Sequence, residues 1–123
     1  MRITVPVSVG ELLDKISILE IKSLFTNDEY LNVELEELNK IKSTLTQFTL
    51  EYEVELKKVN EKLWKIEDRI REKEKLQEFD DEFIKLARSV YHTNDQRAKI
   101  KKKINELTNS HLQEIKIYNN EYH

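Results

Sequence analysis

The chain has no cysteine, one glycine and one proline in 123 residues. Without cysteine there is no disulfide, no thiolate zinc site and no cysteine nucleophile. Gly10 and Pro6 both fall in the first ten residues, so nothing in the following 113 breaks a helix outright. Hydrophobic residues make up 38% and charged residues 37%, where an average globular domain has about 45–50% and about 25%. The core must therefore be thin for the length. No apolar run approaches the roughly 20 residues that span a bilayer, and MRITVPVSVGE lacks the apolar centre of a signal peptide. With a net charge of −3 and a pI near 5.7, there is no global electrostatic case for nucleic acid. These absences predict one all-α domain over residues 1–123, cytoplasmic, with polar caps as its punctuation.

What is present is helical periodicity. Residues 2–7 alternate, with Ile3, Val5 and Val7 on one side, and predict an edge strand or extended arm because Pro6 removes a ladder donor. Ser8-Val9-Gly10-Glu11 fits a capping box that opens a first helix running to about Phe25. Its apolar residues wrap more than one face, which predicts a central helix. A second helix, about 28–45, has one apolar stripe (Tyr30, Leu31, Leu35, Leu38, Ile41, Leu45) and an acidic outer face. Thr49 is the expected cap of a third helix, about 50–77, with a seam at Leu56, Val59, Leu63, Ile66 and Ile70. A turn at Phe79-Asp80-Asp81 leads into a fourth, about 81–109. The last two form a long antiparallel hairpin, each arm on the order of 40 Å at 1.5 Å per residue. Gln113–Tyr118 is a candidate strand to pair with the N-terminal arm. The expected architecture is a four-helix bundle-like domain with strands, if any, only at the termini.

The fourth helix carries the main irregularity. At 4-3-4-3 spacing, which keeps side chains on one face, it presents Phe83, Ala87, Val90, Asn94, Arg97, Lys101 and Ile104. Three polar residues stand where packing alone favours Leu or Ile. A buried amide or charge is costly unless paired, so the interruption calls for a satisfied network or a ligand. Counting back from the turn sets Asn60 and Trp64 beside Thr93, Asn94 and Arg97, and Glu67 and Asp68 near Arg88 and Tyr91. Read as a pocket, Arg88, Arg97 and Lys101 supply positive charge and Asn60 and Asn94 supply amides. Trp64 or Tyr91 supplies a stacking face for a small anion or sugar phosphate. Read as structure, the same residues pair with one another and fix helix register. Asp14 and Lys15 join the candidates from the first helix, where the default for Glu11, Lys15 and Lys22 is intrahelical pairing.

Other chemistry is thinner. Glu34/Glu37, Glu11/Asp14 and Glu78/Asp81 have the i, i+3 spacing of Mg²⁺-holding carboxylate pairs, but 24 acidic residues produce such pairs by chance. His92, His111 and His123 form no i, i+4 pair. No metal site and no cofactor is expected. Arg97, Lys99, Lys101, Lys102 and Lys103 form a basic run that fans around the helix and reads as a solvated face.

Pro6 to Lys22 (PVSVGELLDKISILEIK), Val59 to Arg71 (VNEKLWKIEDRIR) and Phe83 to Asn105 (FIKLARSVYHTNDQRAKIKKKIN) are long, specific segments. Through them the chain resembles an uncharacterised family of short, all-helical bacterial proteins. The resemblance spans nearly the whole chain and departs most over about 26–55. It implies no established activity, but it implies a setting beside lipopolysaccharide and glycosyltransferase proteins. On that basis the expectation is a non-catalytic helical accessory or binding protein in cell-envelope glycan assembly, with a glycosyltransferase-type partner. The rival is a small enzyme acting on a nucleotide, sugar phosphate or lipid-linked glycan. The two-sided first helix further predicts a homodimer, since Ile18, Ile21, Leu24 and Phe25 left in water forfeit about 1.5–3 kcal/mol each.

Overall fold

A computed structural model describes residues 1–117. They hold four helices: α1 (Val9–Ser23), α2 (Glu29–Lys42), α3 (Leu50–Leu76) and α4 (Asp81–Leu107). The described residues contain no strand. Ile3, Val5 and Val7 are exposed along an extended arm, whose Arg2 reaches Glu37 on α2. Residues 113–117 are irregular, so the expected terminal pairing is absent; Tyr118 and His123 lie outside the described residues.

The caps explain most boundaries. The Ser8 hydroxyl accepts the Glu11 amide at 3.1 Å, and Asp28 accepts from Tyr30 and Leu31. Asp80 accepts from Phe83 at 3.0 Å. Thr49 departs from expectation: its hydroxyl donates to Glu53 Oε2 at 2.8 Å and makes no side-chain cap. The α3 C-cap, Gln77, is left-handed at φ 57, a position that ordinarily favours glycine.

Helix α1 packs against all three others, while α3 and α4 pair along their length. The central placement expected from its two apolar faces is what the fold shows. Leu12, Leu13 and Ile16 from α1 meet Leu56 from α3 and Ile100 and Ile104 from α4, and Leu35 and Leu38 of α2 pack at the edge. Gly10 allows the closest approach. A Cβ there would lie 2.7 Å from the Lys101 carbonyl oxygen, so only glycine lets α1 start against α4.

α1 has 15 residues against 27 in each hairpin arm. Beyond Ile66 the only buried side chain on either arm near the tip is Lys73. It is clamped by Asp80, Glu78 and Glu82 at 2.7, 3.1 and 3.2 Å. Hydrogen bonding to Asp80 is the chief cause that raises the Lys73 pKa. The tip is thus fixed by charge, whereas the base is fixed by apolar burial.

Candidate functional site

Four elements converge at the base of the hairpin. Asp14, on the α4-facing side of α1, is 1% exposed. Arg97 donates to it through Nε at 2.9 Å and through Nη2, the bidentate fork that Arg and carboxylate geometry allows. Asn60 of α3 donates to Asp14 Oδ1 at 2.9 Å and to Ser17 Oγ at 2.7 Å. Lys101 lies 2.8 Å from Glu11, 3.8 Å from Asp14 and 3.0 Å from Glu114. Lys116 closes the chain on Glu114 at 2.6 Å. Arg97, Lys101 and Lys116 thus face Glu11, Asp14 and Glu114. Among the described residues no buried side-chain polar atom lacks a hydrogen-bond partner.

The same region fixes the α1 N-terminus. Asn105 Oδ1 accepts the Gly10 amide at 2.7 Å and Ser110 Oγ accepts the Val9 amide at 3.1 Å. These are first-turn donors with no intrahelical acceptor. Only half of the expected capping box forms, because the Glu11 carboxylate turns to Lys101 instead of its own helix start.

The ionisation shifts share one direction of effect. The Asp14 hydrogen bonds, opposed by burial, raise Arg97. Burial pushes Lys101 down, but hydrogen bonds to Glu11 and Glu114 and the Asp14 charge outweigh it, so its pKa also rises. Lys116 first, then Lys101, holds Glu114 below the ordinary glutamate value. All three move away from neutrality. A general acid or base works best with its pKa near the operating pH, and none of these three is placed there.

Of the expected site residues, Asp14, Asn60, Arg97 and Lys101 come together. Asn94 and Tyr91 lie beside them in a groove of about 500 Å³, lined also by Glu11, Val90, Ala98 and Glu114. The others are elsewhere. Lys15 is exposed and 3.9 Å from Glu34 of α2, so no intrahelical pair forms on α1. Trp64 stacks on Phe25 with ring centres 5.3 Å apart. Glu67, Asp68 and Arg88 face solvent. Arg97 pairs with neither Glu67 nor Asp68. The hairpin is not a closed pair, because Asp14 enters from α1 and takes the guanidinium. Ala87 of the expected stripe is exposed too, because α1 covers only the base of α4.

Sequence reasoning missed Ser17, Asn105, Glu114 and Lys116 and misjudged Glu11. The lone glycine at a helix start was the available signal for Asn105, since it marked a close approach. Glu114 and Lys116 carried no signal, being in a segment read as a strand. A second concavity of about 500 Å³ adjoins residues 113–116, with Lys99, Lys102 and Gln113 in its wall. Another, about 520 Å³ along α2 from Asn32 to Ser43, is away from these charges. Among the described residues no helix is long and apolar enough to cross a membrane.

Compared with curated proteins and with solved structures, the chain finds no match in either set. It matches Family of unknown function (DUF6165) over residues 3–122, and so belongs to that family.

Proposed function

We propose that the chain is a non-catalytic helical binding protein that serves bacterial cell-envelope glycan assembly in the cytoplasm, beside a glycosyltransferase-type partner. The observation that carries the non-catalytic reading is the mutual pairing of Asp14, Arg97, Lys101 and Asn60. Groups locked to one another, with Arg97 and Lys101 held in their charged forms, are suited to holding shape, not to moving protons. The groove beside them supports binding. Arg97 uses two of its five N–H groups on Asp14, and Lys101 and Lys116 add charge that suits a small anion such as a sugar phosphate. The envelope setting rests on the sequence resemblance.

One observation favours the enzyme reading. Asn94 is half-buried in the groove wall and makes no side-chain hydrogen bond among the described residues. A free amide there suits a substrate as well as a ligand. A thermal-shift screen of nucleotide sugars, sugar phosphates and Mg²⁺ tests the binding claim, since a ligand at 100 times its Kd adds about 2.7 kcal/mol of stability. No shift with any sugar phosphate would contradict it.

We further propose a homodimer. Ile21 is buried within one chain, so the α1 face is smaller than its sequence implied, but Leu24 and Phe25 stay exposed. Phe79, Ile84 and Tyr91 add apolar surface along the uncovered half of the hairpin. Light scattering at micromolar concentration should return twice the 14.8 kDa chain mass; the single-chain mass would remove the proposal.

A further inference from the structure

Residues 111–117 run beside α4 with no regular structure, and every one is exposed. Two contacts tie them inward: Leu112 O accepts from the buried Ser110 hydroxyl at 2.7 Å, and Glu114 reaches Lys101. The Glu114 carboxylate bridges Lys101, whose side chain is 9% exposed, and Lys116. The two 500 Å³ concavities adjoin this segment and share Asp95, Ala98, Lys101, Glu114 and Lys116. Their shared lining makes them adjoining parts of one trough, with this segment in its wall.

We infer that Glu114 is an internal stand-in for an anionic ligand, and that a small phosphate monoester enters the trough by displacing it from Lys101 and Lys116. The inference rests on the binding reading above and adds the ligand's charge, its seat and a built-in competitor. Three features carry it. Lys101 is a buried ammonium that keeps Glu11 and Asp14 when Glu114 leaves, so the seat survives opening. Lys116 pairs with the same carboxylate, so its ammonium is already in place for the phosphate that replaces Glu114. Arg97 and Asn94 lie further along the trough, where they can meet the oxygens of a phosphate or of the group it carries. A dianionic phosphate offers more charge and more acceptors than the single carboxylate it replaces.

The test is a titration of the full chain with inorganic phosphate and with a hexose 1-phosphate, followed by NMR, in wild type, Glu114→Gln and Glu106→Gln. Glu106 is exposed on α4 and outside both concavities, so its variant makes the same charge change without touching residues 111–117. A half-exposed ion pair contributes up to about 1 kcal/mol, so Glu114→Gln should tighten binding up to about fivefold while Glu106→Gln matches wild type. Ligand should also shift the amide resonances of 111–117 in the wild type. Equal affinity in all three, with the 111–117 resonances unchanged, would overturn displacement and leave the binding reading intact. Equal tightening by both variants would reduce the effect to net charge and overturn it as well. If neither phosphate probe binds any of the three proteins, the anion seat is refuted, and the sugar-phosphate screen alone then decides the binding reading.

Discussion

Replacing Arg97 with leucine removes the partner of the most buried carboxylate in the fold. Asp14 would keep Asn60 at 2.9 Å and Lys101 at 3.8 Å. Breaking a buried pair by deleting one member typically costs about 3–5 kcal/mol, because the other charge stays buried. Two facts lower that figure here. The Arg97 side chain is 25% exposed, so water reaches the vacated space, and Lys101 can shift towards Asp14. An expected loss of about 2–4 kcal/mol remains, a large share of the roughly 5–15 kcal/mol of a typical domain. Urea unfolding measures it, with Arg97→Lys as a milder variant should Arg97→Leu fail to fold. The double variant Asp14→Leu/Arg97→Leu should recover part of the loss, since removing both charges leaves neither unpaired. A loss below about 0.5 kcal/mol, or singles that simply add, would refute the claim that this pair holds α1 on α4.

Gly10→Ala should destabilise by about 1–3 kcal/mol, since the new methyl meets the Lys101 backbone and not a movable side-chain end; thermal melting should drop by several degrees. Gln77→Gly should raise stability by up to about 1 kcal/mol by relieving a left-handed non-glycine residue at the hairpin turn, visible as a higher urea midpoint with unchanged slope. Asp80, Glu82 and Glu114 have folded-state pKa values below the ordinary carboxylate values of 3.8 for Asp and 4.5 for Glu. Their stabilisation is present in full above those values and is lost as pH falls through the depressed ones. Protection of the hairpin-tip amides, corrected for the intrinsic pH dependence of exchange, and the urea midpoint should therefore rise from pH 3 to 5 and stay level from 5 to 7. Lys73, raised above 10.5, runs the other way: its contribution is complete below that value and is lost at higher pH.

The helices were legible because their signals are local. Ser8, Asp28 and the Asp80 turn are caps that a sequence displays, and the Leu56–Leu63–Ile66 seam repeats at helical spacing. The polar interruption at Arg97 and Lys101 was also legible, as was the need for it to be paired. Its partner was not. Asp14 lies 83 residues from Arg97, and which of several carboxylates meets a guanidinium depends on how α1 enters between two longer helices. Counting residues back from a turn fixes register within a hairpin but says nothing of a third helix. The extended arm at 2–7 shows the same limit, since alternation marks a strand only where a partner edge exists. Glu114 is the clearest case: an isolated glutamate beyond the last helix shows nothing until it is seen to reach Lys101.

The central claim is that this network binds and does not react. It is tested most directly by following nucleotide sugars and a hexose 1-phosphate with stoichiometric protein by ³¹P NMR over hours. Binding without chemistry predicts that a phosphorus signal moves or broadens on addition, returns on dilution, and that no new phosphorus species forms. A new phosphorus signal that grows with time, and is lost in the Arg97→Lys variant while that protein remains folded, would contradict the claim and make the groove an active site.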